Sequence, residues 1–467
     1  MEFKNEKLEN FEKNLKSQKV AVIGLGVSNI PLIDYLKEKQ AKVTVFDDRE
    51  KGKIDTNIIN KVNEYGFESY FGKNNLENLQ GFDIIFRSPS CLPTKTEIVA
   101  EKQRGAIITT EIEQLMKMAP CKIIGITGSD GKTTTTSITY EILKNAGYNV
   151  HLGGNIGIPL FTKLNEINPE DLIVLELSSF QLMEMEISPE ISAITNITPN
   201  HLNIHKDYVE YIEAKKNIFA NQNENGIIVL NADNELTNAC KNKVNGKIKM
   251  FSSKQKLENG YIVEDGIIKK CEDGIRRHII NTSDIKLKGI HNFENICTAL
   301  ALTESLVDTD NAVETIKQFS GVHHRLEFVR KLDGVEWYND SASTSPTRGI
   351  SGLKSFKGKE VILIAGGADK NLDYTPLGKH IVDSVKSLIL IGQTATKIYG
   401  AVKKELEAQN KQLDIHMCET FVQSLELAKR IAKSGQIVLF SPASTSFDMF
   451  KDMYDRGDKF KEIVNKF

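Results

Sequence analysis

The stretch Lys122 to Thr136, KIIGITGSDGKTTTT, holds the residues of this chain best suited to chemistry. Gly128 and Gly131 let backbone N–H groups turn toward a polyphosphate, Lys132 brings a positive charge, and the Thr133 hydroxyl can hold a magnesium ion where a helix begins. This combination reads as a nucleoside-triphosphate cradle. The strict eight-residue pattern wants glycine five places before Gly131, where Ile126 stands, so the match is to the variant T-G-x-x-G-K-T. A Gly-containing turn with a solvated lysine is the alternative, and the order strand, loop, helix weighs against it.

Further polar residues stand where strands should end. Glu176 interrupts the apolar run DLIVLELSSFQL, and a carboxylate is costly to bury unpaired, so it is expected to face a nucleotide and a metal or else a nearby lysine. Asn155 sits in GGNIGIP, too Gly-rich for a strand interior and read as a loop. His201 and His205 are four apart but lack the intervening Glu of a zinc protease motif; His201 stands out because it ends a strand in the same α/β unit. Lys215 and Lys216 read, on the residues alone, as solvated lysines of a helix face. His291, Asn292 and Asn295 open a long helix with groups suited to a purine or ribose.

The chain starts with strand, Gly-turn, helix and strand over residues 19 to 46, with Gly24 and Gly26 in the turn and Asp47 where a dinucleotide fold places its ribose acid. A nicotinamide enzyme is the obvious first reading. Asn29 holds the third glycine's place, however, and any pyrophosphate suits such a loop, so a nucleotide diphosphate is the stronger reading. Ser88 follows another strand on the same edge. Toward the C-terminus, strands lead into loops carrying Asp340 and Thr344, Lys370, Gly392 and Gln393, and Ser444 and Ser446.

These residues need elements to hold them, and 467 residues suggest three domains at about 150 each. The pattern predicts an α/β protein with a Rossmann-like domain over 1–110, a central parallel-sheet domain of P-loop ATPase type over 111–320, and a second Rossmann-like domain over 321–467. Residues 226 to 288 read as short strands and turns, with hairpin character in ENGYIVEDGIIKK. With 60 basic and 62 acidic residues, nothing favours nucleic acid or an anionic membrane as partner. No apolar run reaches the ~18 residues of a membrane span, and the N-terminus mixes Lys with Glu, so a soluble cytoplasmic protein is expected. The six cysteines are far apart and read as reduced.

In order, GITGSDGKTTT, GGNIG, ELSSFQL, TNITPNHLNIH, YIEAKKNIF, GIHNFENICTA, HHR, NDSASTSPT, GGADK and SPASTSFDMF make the chain resemble the Mur ligase family of peptidoglycan synthesis over nearly its whole length. ELSSFQL, NDSAST, GGADK and SPAS are most similar to the branch that joins D-glutamate to UDP-N-acetylmuramoyl-L-alanine. The resemblance implies ATP, two magnesium ions and a monomer. Ser129, Asp130, Gly131, Lys132, Thr133, Thr134 and Thr135 would wrap the ATP phosphates; Asn292, Asn295, Arg325 and Asp340 would receive the rest of ATP. Thr133 and Glu176 would hold one magnesium, His201 and a carbamylated Lys215 the other, with Asn155 also in the catalytic set. Val27, Ser28, Asp47, Ser88 and Ser178 would take the UDP-sugar, and Thr344, Lys370 and Ser446 the D-glutamate. The sequence departs from the family pattern at Asn29, at SPS in place of SPG, at the residue two places after Asp340, and at Met453. Another Mur-type or folylpolyglutamate-type ligase, an NAD-dependent oxidoreductase and a P-loop NTPase acting as a binding or motor protein remain alternatives.

Overall fold

Short β-branched runs closed by Gly or polar residues make the strands here, and amphipathic segments between them make the covering helices. The structure is a computed structural model that describes residues 3–199, 205–369 and 372–467; His201 and Lys370 lie outside the described residues. The chain divides into two units, Met1–Phe319 and Ser320–Phe467. Among the described residues the strands form three sheets, two in the first unit and one in the second.

The first sheet contains β1 (Lys19–Ile23), β2 (Lys42–Asp47), β3 (Glu68–Phe71), β4 (Ile84–Arg87) and β5 (Ile107–Thr109), in the order β3-β2-β1-β4-β5, all parallel. The second comprises β6 (Lys122–Thr127), β7 (Val150–Gly154), β8 (Leu172–Glu176), β9 (Ile191–Ile194), β10 (Ile227–Asn231), β11 (Lys247–Ser252), β12 (Gly260–Glu264), β13 (Ile267–Glu272) and β14 (Ile275–Asn281). Its order is β14-β13-β12-β11-β10-β9-β6-β8-β7, parallel from β7 to β12, with β13 and β14 added antiparallel. The β12–β13 hairpin is the one its alternation predicts, turning through Asp265 and Gly266, both at positive φ.

Register decides what meets at the edge of the second sheet. Ile126 pairs with Glu176 and with Ala193, and Gly154 pairs with Glu176, so the segments after β6, β7, β8 and β9 emerge side by side. Ligands collect beyond the carboxyl ends of such strands. Behind the edge, Ile124, Ile126 and Val174 pack with Ile138 and Ile142 of helix Lys132–Asn145 and Leu300 of helix Ile290–Thr303. The two sheets of this unit share one apolar cluster. Phe161 sits in it with its ring against Phe11, Tyr35 and Phe86, 5.3 to 6.2 Å between centroids.

One expectation is corrected. Gly153 and Gly154 lie inside β7 rather than in a loop, with Asn155 just past its end. At Gly154 φ is 92° and a Cβ would collide with the Glu176 carbonyl, so glycine is what lets the two chains run this close.

In the second unit β15 (Glu327–Leu332), β16 (Val335–Asn339), β17 (Val361–Gly366), β18 (Val385–Ile391), β19 (Asp414–Met417) and β20 (Ile437–Phe440) lie in the order β15-β16-β20-β17-β18-β19, parallel except for β15. Asn339 and Ile364 both pair with Phe440, and Gly366 pairs with Ile391, which aligns four strand ends at one edge.

Candidate active site

The loop between β6 and helix Lys132–Asn145 is shaped by residues from distant elements. Gly128 and Gly131 have φ of 153° and 80°, and a Cβ would strike Thr195 at the first and Asn295 at the second. Thr195 Oγ1 donates to Asp130 O at 2.6 Å, Asn196 Oδ1 accepts from Asp130 N at 2.9 Å, and Ser129 N donates to Asn196 O at 2.9 Å. Ser129 Oγ lies 2.8 Å from the Tyr211 hydroxyl. Lys132 Nζ donates to Gly128 O and Ser129 O, each at 2.8 Å. Lys132, Thr133 and Thr134 are half-buried in the first helical turn, while Thr135 is buried. The helix N-terminus faces the loop, the arrangement that favours an anion.

Glu176 ends β8 and is 1% exposed. Its Oε1 accepts from Asn155 Nδ2 at 2.8 Å, while Oε2 is buried without a hydrogen-bond partner among the described residues. Asn155 N donates to Glu176 O at 2.8 Å, which seats the loop after β7 on the end of β8. Lys215 is buried rather than solvated, correcting the reading from the residues alone. Tyr211, Ala214, Lys215, Ile218 and Phe219 form the buried face of helix Tyr208–Ala220, and Lys215 Nζ donates to Gly128 O at 2.8 Å. Burial, with Lys132 nearby, pushes its pKa down to about 7 against the pull of Asp130 and Glu176. Lys216, next in sequence, is half-buried and paired with Glu213 at 2.6 Å. His205 is buried, with Nε2 2.9 Å from Ser179 Oγ and Nδ1 3.1 Å from Glu210.

Helix Ile290–Thr303 brings Asn295 to the loop after β6. Its Oδ1 accepts from Thr135 Oγ1 at 3.3 Å and its Nδ2 donates to Asn292 Oδ1 at 3.4 Å. His291 is exposed at the same helix start. Ser178 caps helix Ser179–Leu182 in a reciprocal box with Gln181.

On the first sheet, Val27 is exposed and Ser28 precedes helix Asn29–Glu38. Ser88 Oγ lies 3.0 Å from Ser90 Oγ, and a Cβ on Gly24 would meet Ser88. Asp47 is buried and accepts from Leu25 N at 2.8 Å and from Arg49 Nε at 2.8 Å. Burial pushes its pKa up, but the hydrogen bonds from Arg49 and the backbone outweigh burial and hold it below the usual carboxylate range. Asn29, in the third glycine's place, donates to Ile23 O and Gly24 O at 3.1 and 2.9 Å, so its side chain ties the turn from within.

In the second unit Asp340 is buried, accepting from Ser441 Oγ at 2.7 Å and Leu326 N at 3.2 Å; burial raises its pKa to about 7. Arg325 is exposed, Thr344 half-buried and Ser446 buried. Ser444 Oγ lies 2.8 Å from both Tyr374 OH and Thr394 Oγ1.

Several residues escaped the sequence. Thr195, Asn196 and Tyr211 brace the loop after β6, Arg49 grips Asp47, and Arg456, 1% exposed, donates to Ser341 O, Ser444 O and Thr445 O at 2.8 to 3.0 Å. The burial of Lys215 did leave a readable signal, since Tyr211, Ala214 and Ile218 mark its helix face as buried.

Residues 18–110 match the MurD-like N-terminal domain of Mur ligases, 126–303 the Mur ligase middle domain, and 324–444 the Mur ligase glutamate ligase domain. The chain is 44% identical over 462 residues to a UDP-N-acetylmuramoylalanine–D-glutamate ligase of Clostridium tetani, covering 98% of this chain and 99% of that protein. A protein of the same name from Acetivibrio thermocellus is 45% identical over 463 residues, 99% of each chain. A UDP-N-acetylmuramate-alanine ligase of Thermotoga maritima superposes with a TM-score of 0.51 at 20% identity, covering 96% of this chain and 99% of that one, which speaks to the fold.

Proposed function

The chain belongs to the Mur ligase family, and from that membership we propose that it is an ATP-dependent ligase joining D-glutamate to the L-alanyl carboxylate of UDP-N-acetylmuramoyl-L-alanine. The observation that carries the proposal is the meeting of a phosphate loop, a buried carboxylate with one oxygen unpartnered among the described residues, and a buried lysine at a single sheet edge. Near-full-length identity to relatives of that name points the chemistry toward D-glutamate.

An amine cannot displace oxide from a carboxylate. ATP removes that obstacle by turning the carboxylate into an acyl phosphate, from which the amine of D-glutamate expels phosphate. Protein side chains therefore position and neutralise rather than attack. Lys132, the amides from Gly131 onward and the Thr133 and Thr134 hydroxyls take the phosphates, with Ser129, Asp130, Thr135, Asn292 and Asn295 shaping the site beside them and Arg325 and Asp340 completing the ATP set. Asn155 donates toward the reacting centre. Val27, Ser28, Asp47, Ser88 and Ser178 receive the UDP-sugar, and Thr344, Lys370 and Ser446 receive D-glutamate.

Magnesium fits this donor set. Mg²⁺ takes one or two carboxylates plus substrate phosphates rather than a full protein cage, and the orphaned Glu176 Oε2 with the Thr133 hydroxyl meets that description. His201 and Lys215, the latter as a carbamate, would hold a second ion; a buried lysine held near pKa 7 supplies the neutral amine that carbon dioxide needs. When bound, the ions offset the charge of phosphates and carboxylates brought together. Among the described residues no helix is long and apolar enough to cross a membrane; we take the protein to be a cytoplasmic monomer with domains at 1–110, 111–320 and 321–467.

The test is a phosphate-release assay crossing candidate UDP-sugars with D- and L-amino acids. Release is expected only with UDP-N-acetylmuramoyl-L-alanine and D-glutamate together. Release without an amino acid, or efficient use of meso-diaminopimelate or L-lysine, would reject the proposal.

A further inference from the structure

Arg87 ends β4, immediately before Ser88, and pairs in register with Ile23 at the Gly-turn. It is 4% exposed, and its hydrogen-bond acceptors are main-chain carbonyls. Nη1 donates to Cys91 O at 3.3 Å, in the loop of its own sheet; Nη2 donates to Met183 O at 2.9 Å, just past the helix that Ser178 caps after β8. One guanidinium thus links the loop after β4 on the first sheet to the segment that follows β8 on the second.

Three observations set this residue apart from ordinary packing. A buried cation costs several kcal/mol, and an apolar side chain of the same length would fill the space more cheaply, but only a guanidinium offers a rigid fork to two acceptors. The join is hollow here: a cavity of about 220 Å³ is lined by Arg87, Pro93, Thr110, Gln181, Met183 and Glu184. Beside it, Lys102–Glu184 at 3.1 Å is a further polar tie, exposed and weak. Finally, Glu184 has φ of 57°, so the peptide that presents Met183 O is held in a turn that residues other than glycine and asparagine seldom adopt.

We propose that Arg87 is a positioning residue that fixes the separation of the UDP loop and the sugar-facing helix turn, so that one long substrate engages both ends at once. This rests on the functional reading above, in which the substrate runs from Ser88 to Ser178 and onward to the phosphate loop. Two half-sites held in register convert the second contact into an intramolecular one; loosening them forfeits that gain while leaving each half-site intact.

The experiment compares wild type, Arg87→Met and Arg87→Lys by calorimetry with UDP alone and with UDP-N-acetylmuramoyl-L-alanine, and by KM for ATP, after melting curves establish folding. Lysine keeps the charge but replaces the two separate guanidinium nitrogens by one shorter-reaching ammonium, so both variants should behave alike and a misfolded methionine variant leaves the lysine one to decide. Binding of the whole muramoyl substrate should weaken roughly tenfold or more, while UDP binding and the ATP KM stay within about twofold. Equal weakening of UDP and of the whole substrate would reduce Arg87 to a support of the Ser88 loop and overturn the proposal, as would a changed ATP KM or no change anywhere. A wild type that binds no muramoyl substrate would overturn the functional reading itself.

Discussion

Replacing Glu176 with glutamine separates what this residue costs the fold from what it does in the reaction. Among the described residues its Oε2 is buried without a hydrogen-bond partner, while Oε1 holds Asn155 at 2.8 Å. An unmet buried acceptor costs about 1–3 kcal/mol, and more when it is charged. The amide keeps the Oε1 acceptor and discards the charge but puts an unmet NH2 in place of Oε2 and loses the attraction to Lys215, so the ligand-free variant should stay within about 1 kcal/mol of wild type, or roughly 2–4 °C in melting midpoint. Turnover should fall about a hundredfold or more, because a group that offsets charge in the transition state is gone. Melting curves with and without magnesium and ATP, alongside steady-state rates, read both effects. Wild type should gain stability from magnesium and ATP by mass action, and the variant should gain less. A ligand-free variant destabilised by more than about 1 kcal/mol, or one that gains as much as wild type from the ligands, would refute the assignment of Glu176 as a strained metal ligand.

Lys215→Ala should be inactive and partly rescued by acetate or formate, whereas Lys216→Ala, which loses only an ion pair with Glu213, should be mild; equal effects would return Lys215 to a structural role. Lys132→Ala should fold normally and lose about a thousandfold in turnover, a result that melting and rate measurements check together. Glu111, which accepts from Phe161 N at 2.9 Å, has its pKa raised by burial from 4.5 to about 7. The folded state therefore holds this proton more tightly, so the stability it contributes is full below pH 4.5 and is lost as pH rises to about 7. That is roughly 3 kcal/mol at 1.36 per unit, and Glu111→Gln should remove this part of the pH dependence in denaturant titrations across that range. Lys370→Ala should raise the KM for D-glutamate far more than that for ATP; retained D-glutamate affinity would point to another amino acid.

The α/β architecture was legible because strand ends carry their own punctuation, and the place of Glu176 at a strand end was legible because a polar residue interrupting an apolar run has few cheap explanations. On the residues alone the burial of Lys215 was legible only through its helical spacing, which the residue type overrode; the residue entered through the resemblance that YIEAKKNIF carries. Thr195, Asn196 and Arg456 could not be read, because each acts on a backbone far away in sequence and nothing local marks it. Asn29 seemed a flaw in a glycine pattern, yet its amide supplies from inside the turn what a third glycine would have left to packing. The same blindness hid Gly153 and Gly154, since the reason for glycine there is the Glu176 carbonyl on the neighbouring strand.

The braces on the phosphate loop also say when nucleotide binding can begin during synthesis. Asp130 is held by Asn196, 66 residues downstream, and Thr135 meets Asn295, 160 downstream. Chains emerge from their N-terminus and fold as units, while contacts this distant form late. A nascent chain that has exposed its glycines, Lys132 and Thr133 still lacks the walls that bend them around a phosphate. Nucleotide capture is thereby postponed until helix Ile290–Thr303 has docked on helix Lys132–Asn145, when the first unit is all but complete.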